Sequence, residues 1–168
     1  MAEIRELAQG DLPAIAATQG GPAWHGAWDH WPRYLAEHQS GERTVLMVED
    51  GAAIVGYGSL VWVSQYPPFA AEQIPEIQDM VVAESRRGRG HGRAMIAAFE
   101  ALAVGKGCNA LGIGFGLYAD YGAAQHLYVS QGFVPDGRGL TYDNQPVAPG
   151  SSVRVDDDLV LWLTKRLS

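Results

Sequence analysis

Four arginines, Arg86, Arg87, Arg89 and Arg93, fall in "SRRGRGHGRAMIAAF" (residues 85–99), interleaved with Gly88, Gly90 and Gly92. An apolar stretch follows at once. A helix beginning there leaves its first N–H groups without intrahelical partners and carries a partial positive charge at that end. Glycines strip side chains from the approach, so a phosphate could reach those amides, and the arginines add longer-range attraction. A basic surface turn, kept soluble by its arginines, is the plain alternative. Two other phosphate loops fit poorly. No Gly-Lys-Ser or Gly-Lys-Thr is present, and the last glycine comes one residue too early for G-x-G-x-x-G.

Other reactive side chains are sparse. Cys108 is the single cysteine, which excludes an intramolecular disulfide and a cysteine metal cluster. Its setting, "GKGCNALGI", reads as a small buried residue entering a strand rather than a catalytic thiol, because no base accompanies it locally. His25, His30, His38, His91 and His126 show no H-E-x-x-H or similar spacing. Asp156, Asp157 and Asp158 are consecutive, so they cannot converge on one ion from a strand entry. No metal is expected, and a solvated cap suits the three carboxylates better.

The elements that must carry the arginine-glycine turn can be read from periodicity. "IPEIQDMVVA" is a strand leading into it, and Met95, Phe99 and Leu102, at i, i+4 and i+7, mark one face of a helix over 91–104 leading out. Upstream, "IREL" is a short strand, and Asp11 and Pro13 suit a helix start. A second helix is under way by Pro32. Two apolar runs flank Asp50-Gly51, a dipeptide suited to a tight hairpin turn. "SQYPPFAAEQ" reads as a proline-broken loop. Downstream, "NALGIGFGL" (109–117) alternates as a strand, "YGAAQHLYVSQ" (121–131) is helical, and "LVLWLT" is a closing strand. The expected order is β-α-α-β-β-β-α-β-α-β-β, a mixed α/β sheet.

The chain has 168 residues, 47% of them hydrophobic and 18% charged, which predicts one globular domain over residues 1–168. Its net charge of −7 argues against nucleic-acid binding, which needs clustered cations to displace counterions. The local arginine cluster suits a small anion better. No apolar run is long enough to span a bilayer, and the first residues lack the basic-then-apolar order of a secretory signal. No membrane association is expected, and the cytoplasm is the expected location.

"RGRGHG" (87–92) resembles the (Arg/Gln)-x-x-G-x-(Gly/Ala) motif of the GNAT acyl-CoA N-acyltransferase superfamily, and "AAQHLYVSQGF" (123–133) is similar to its A-x-x-L-Y-x-x-x-G-F signature. The resemblance covers nearly the whole chain, weakest in residues 20–40 and 134–157. It implies a mostly antiparallel sheet of about seven strands with about four helices, whose splayed central strands form an acyl-CoA cleft. Acetyl-CoA is the implied cosubstrate. Its pyrophosphate would rest on Arg87, Gly88, Arg89, Gly90, His91, Gly92 and Arg93, and its pantetheine on the strand at Met80, Val81 and Val82. The resemblance also implies that Tyr128 protonates the departing sulfur, a role open to a phenol that stays protonated at neutral pH. An acidic base acting through water is implied on the strand before the turn, with Glu76 preferred narrowly over Asp79. Where relatives often carry a cofactor-contacting Asn, this chain has Tyr121.

The acceptor is less legible. Trp24, Trp28 and Trp31 have i, i+4, i+7 spacing, followed by Tyr34. That pattern suits either core packing or the roof that this region gives the acceptor pocket in the family. Tyr66 and Phe69, in the proline-broken loop, offer a second wall. Aromatic walls in an acidic protein suit an amine with apolar bulk. Gly112, Gly114 and Gly116 line one face of their strand, leaving room for a ligand arm or for close packing. The implied activity is N-acetyl transfer to a primary amine of a small molecule or peptide by direct attack in a ternary complex. The alternatives are a non-catalytic acyl-CoA binding module of the same fold, and a nucleotide- or nucleic-acid-binding domain. The last strand is a candidate edge for a homodimer.

Overall fold

The computed structural model describes residues 3–18 and 30–168, and among these the chain forms eight strands and five helices in a mixed α/β arrangement. In chain order they are β1 (Glu3–Glu6), α1 (Leu12–Thr18), α2 (His30–Ser40), β2 (Arg43–Asp50), β3 (Ala53–Val61), α3 (Pro67–Glu72), β4 (Glu76–Val82) and α4 (His91–Gly105). There follow β5 (Ala110–Gly116), α5 (Gly122–Ser130), β6 (Val134–Tyr142), β7 (Gln145–Pro146) and β8 (Leu159–Arg166). Two compact units divide the chain: Met1–Trp62 with Ile77–Ala101, and Val63–Glu76 with Leu102–Ser168.

In the first unit β1, β2, β3 and β4 are neighbours in that order, with β1–β2 and β2–β3 antiparallel. The apolar run of β2 is covered on both faces, and Val45, Leu46, Met47 and Val48 are all buried. Val45 and Met47 pack with Leu7, Ile15, Trp31, Tyr34 and Tyr57 into a core cluster. Trp31, the third member of the tryptophan stripe, is therefore a core residue. Trp24 and Trp28 lie outside the described residues. The β2–β3 hairpin turns on Gly51 and Ala52, because Asp50 still pairs with Ala53. Gly51 takes φ 69°, which puts glycine at the first central position, as a primed turn of the second type requires. Asp50 thus ends a strand instead of sitting in the turn.

In the second unit the strand order is β5-β8-β6-β7, all antiparallel, so the last strand, β8, is paired on both sides by β5 and β6 and is not the free edge expected for a homodimer. Two of its elements exceed the sequence expectation. The stretch read as a proline-broken loop contains α3, whose first positions are Pro67 and Pro68. A helix start has no use for those N–H groups, so the prolines begin the helix instead of breaking it. Strand β7 is only two residues long, formed because Asp143 and Asn144 take positive φ (49° and 60°) and fold the chain back on β6. Tyr66, Phe69, Ile74 and Trp162 make this unit's aromatic cluster, with Tyr66 stacked on Trp162 at 4.2 Å between ring centroids. Such a pair contributes about 0.5–1.5 kcal/mol beyond its buried area.

The glycine face of β5 is filled by the chain's own side chains. A Cβ built on Gly112 would sit 2.2 Å from Phe69 Cε2, and one on Gly116 would sit 2.4 Å from Tyr121 Cε2. One on Gly114 would meet Val160 and Trp162 within 2.9 Å. Glycine is needed here because aromatic rings lie directly on the backbone.

Candidate active site

Strand β4 delivers the chain to the arginine-glycine turn. The Ala83 N–H donates to the Val55 carbonyl at 2.8 Å, and a single 3-10 turn over Glu84–Arg86 follows. Gly88 and Gly90 then take φ 74° and 86°, the left-handed region that penalises a side chain. A Cβ at either position would meet nothing within 4 Å, so conformation, not crowding, demands glycine and the space above the turn is open. The Gly90 carbonyl accepts the Ala94 N–H at 3.0 Å, which makes Gly90 the residue that caps α4. The amides of Gly90, His91, Gly92 and Arg93 therefore have no partner within the helix.

The arginines divide into two groups. Arg86 donates to Asp50 Oδ2 at 2.9 Å, and Arg89 reaches the same oxygen at 3.9 Å. Asp50 can do this because it ends β2. Arg87 and Arg93 are exposed; Arg87 Nε donates to the Val82 carbonyl, and Arg93 makes no ion pair with a described residue. His91 is buried, and its Nε2 lacks a hydrogen-bond partner among the described residues. An anion could rest on the free amides with Arg87 and Arg93 supplying charge.

Inside β4 the backbone breaks its regular course. Asp79 takes φ 53°, a conformation that costs a non-glycine residue about 1–2 kcal/mol and that Asp tolerates better than most. One residue earlier, the Gln78 carbonyl accepts a hydrogen bond from a side chain, Ser59 Oγ, at 3.3 Å. Around this irregularity β3 comes close. A Cβ on Gly56 would lie 2.7 Å from the Val81 carbonyl oxygen, and one on Gly58 would lie 3.0 Å from the Met80 side chain. Met80, Val81 and Val82 are half-buried.

Asp79 is exposed, and its Oδ2 accepts a hydrogen bond from the Tyr34 hydroxyl of α2. Burial, with the Asp79 charge and this hydrogen bond adding to it, holds the Tyr34 phenol well above its usual range. Tyr57 is raised as well, chiefly by burial and then by Asp79. The Arg43 guanidinium lies 4.2 Å from the Tyr34 ring centroid. Arg43 is 6% exposed and donates to Glu37 Oε2 at 2.6 Å, Ser59 Oγ at 2.6 Å and Gln78 Oε1 at 3.2 Å.

Glu76, at the start of β4, has a different setting. It is 5% exposed, and Ser64 Oγ donates to its Oε2 at 2.5 Å. Tyr66 is 2% exposed, with its hydroxyl donating to Asp136 at 2.8 Å, so its ring is packed against Trp162 and shows no face to solvent. Tyr128, on α5, is 6% exposed, with its ring centroid 6.3 Å from those of Phe115 and Phe133. Asp79, Met80–Val82 and the turn thus belong to the first unit, while Glu76, Tyr66 and Tyr128 belong to the second.

The consecutive aspartates are held by tyrosines. Tyr118 and Tyr121 both donate to Asp157, Tyr121 at 2.9 Å, and Tyr142 donates to Asp156 at 2.9 Å. The Tyr118 and Tyr121 hydroxyls keep the Asp157 carboxyl below its ordinary range. Tyr121, the departure from the usual Asn, serves this cap. Among the described residues no group of three or more His, Cys, Asp or Glu is placed to hold a metal ion, and no helix is long and apolar enough to cross a membrane. Ser64 and Arg43 were not singled out for the site from sequence, and Tyr34 was read only with the tryptophan stripe as core or pocket roof, since each acts through a partner distant in the chain.

This glycine-cleared helix start carries the residues that resemble the GNAT acyl-CoA N-acyltransferase superfamily. The chain belongs to this family: the model described as the acetyltransferase (GNAT) family matches residues 1–133. No curated protein sequence matches the chain. Solved structures do. A ribosomal-protein-alanine N-acetyltransferase from Brucella melitensis is 23% identical with a TM-score of 0.68, covering 98% of this chain and 99% of its own. The spermidine/spermine N-acetyltransferase of Vibrio cholerae is 17% identical with a TM-score of 0.65, covering 98% and 92%. A Salmonella typhimurium protein solved with its cofactor acetyl-CoA is 19% identical with a TM-score of 0.68, covering 100% and 95%. At these identities the likeness establishes the fold. With the family match, it makes the chain an acyltransferase of the GNAT fold, whose eight strands among the described residues exceed the expected seven by the short β7.

Proposed function

We propose that this chain moves an acetyl group from acetyl-CoA to a primary amine of a small molecule or peptide, by direct attack in a ternary complex in the cytoplasm. The observation that carries the reading is the start of α4, where four amides, from Gly90 to Arg93, follow a turn in which Gly88 and Gly90 take positive φ with open space above them. Acetyl-CoA, as cosubstrate, brings the activated acetyl group. The free amides and Arg87 and Arg93 would hold its pyrophosphate. Similar folds act on an alanine amine of a ribosomal protein and on spermidine, which supports an amine acceptor here.

Of the two candidate bases we infer Asp79. It is exposed, beside the backbone irregularity that could direct β4 amides near Met80 and Val82 at the developing oxyanion. Glu76 is buried and bonded to Ser64, a setting that suits structural support. Asp79 takes the ammonium proton, directly or through water, leaving a nucleophilic amine. As the carbon–nitrogen bond forms and the carbon–sulfur bond breaks, Tyr128 gives its proton to the sulfur; the second proton shed by the nitrogen restores the phenol through solvent, and Asp79 releases the first to water.

Calorimetric titration with acetyl-CoA, with NAD and ATP as controls, tests the binding half. Micromolar affinity for acetyl-CoA alone, about −8 kcal/mol, is expected. Equal or better binding of NAD or ATP would overturn it. For the chemistry, Tyr128→Phe should lower kcat at least tenfold in a thiol-release assay across an amine panel. An unchanged kcat removes Tyr128 from the mechanism.

A further inference from the structure

Resting on Asp79 as the base, we infer that Tyr34 is a positioning residue for deprotonation of the acceptor: its hydroxyl pins Asp79 Oδ2 and leaves Oδ1 to meet the ammonium. Three observations combine. Asp79 sits in a strained, left-handed conformation within β4, and such outliers persist where surrounding structure enforces them. One carboxylate oxygen is taken by Tyr34, while the other receives no hydrogen bond from a described residue, and the side chain is exposed. Tyr34 itself is 5% exposed and fixed from several sides. Its ring packs against His30 at 4.6 Å and Trp31 at 6.0 Å, and Arg43 stacks on it at 4.2 Å.

Arg43 ties the assembly to the strand. The same guanidinium that stacks on Tyr34 also donates to the side chain of Gln78, the residue before Asp79. A buried cation thus fixes the tyrosine on α2 and the neighbour of the base on β4. The phenol keeps its proton throughout, because burial and the adjacent carboxylate both oppose its ionisation. Asp79 Oδ1 accepts the proton, and Tyr34 exchanges none with the substrates.

Tyr34→Phe keeps the ring and removes only the hydroxyl. It is compared with Asp79→Asn, whose side chain tolerates the left-handed backbone, and with the double variant. Thiol release from acetyl-CoA is followed with phenethylamine, with spermidine, and with water alone as the acceptor. In the water reaction the same base would take the proton as acetate and free CoA form. Tyr34→Phe should lower kcat about tenfold with KM for acetyl-CoA unchanged, and should cost nothing further in the Asp79→Asn background. A normal kcat, or an equal loss with and without Asp79, overturns the positioning role. Full activity in Asp79→Asn instead overturns the base assignment on which it rests. Thermal unfolding of the same four proteins needs no acceptor: additive shifts in Tm show that the two side chains are not coupled, and they also defeat the inference.

Discussion

Ser64 Oγ donates to Glu76 Oε2 at 2.5 Å while accepting the Tyr66 N–H at 3.0 Å, so one hydroxyl joins a buried carboxylate to the start of α3. The Tyr66 carbonyl in turn accepts the Ala70 N–H, the first bond of that helix. Ser64→Ala removes a donor from a buried acceptor and leaves the Tyr66 amide without this partner. The expected loss is about 1–3 kcal/mol of stability, read by chemical denaturation, with kcat within twofold of the parent. A large fall in kcat at full stability would move Glu76 back among the candidate bases.

Gly90 separates binding from folding. Gly90→Asp introduces a side chain at φ 86° and places a carboxylate where it can cap the free amides of α4 and repel a phosphate. Affinity for acetyl-CoA should fall by more than a factor of 10, about 1.4 kcal/mol, in calorimetry. Gly90→Ala carries the strain without the charge and should bind with intermediate affinity. If both variants bind like the parent, the pyrophosphate lies elsewhere.

Packing over β5 makes a prediction about stability alone. In Gly112→Ala the new Cβ would fall 2.2 Å from the Phe69 ring, which is 1% exposed and held against Tyr66 and Trp162. Overpacking of this kind costs typically 1–3 kcal/mol, so Tm should drop by several degrees. Gly105→Ala, where a Cβ meets nothing within 4 Å, is the control and should leave Tm unchanged or raised.

The N-terminal ion pair sets a pH dependence. Asp11 accepts both ends of the Arg5 guanidinium, at 2.7 and 2.8 Å, and the Ala8 N–H at 2.7 Å. The Arg5 hydrogen bonds hold its carboxyl below the ordinary 3.8, against the opposing effect of burial. The ionised form is therefore favoured more in the folded than in the unfolded chain. Its contribution is complete above 3.8 and is lost as pH falls through the lower folded value. Asp11→Asn should cost stability at pH 7, and its gap to the parent should narrow as pH falls from 3.8 through the lower folded value. A gap that persists unchanged at pH 2 would refute the charge argument.

Much of the arginine-glycine turn was legible in the chain itself. Glycine's access to positive φ is a local property, as is the i, i+4, i+7 apolar face of α4, so the turn and its helix could be read from consecutive residues. The same locality explains two misreadings. Pro67 and Pro68 signal a break as readily as a helix start, and a two-residue strand such as β7 has no periodicity to detect. The glycines of β5 announced a close approach, but only the fold shows that Phe69, Tyr121 and Trp162 make it. What tertiary structure alone decided is the setting of the carboxylates. Glu76 and Asp79 lie three residues apart with near-identical credentials in sequence. One is buried against Ser64 from the preceding loop; the other is exposed on a left-handed kink under the hydroxyl of Tyr34. That difference arises from partners brought together across as many as 45 positions of chain, where burial and hydrogen bonding, rather than residue type, determine what a carboxylate can do.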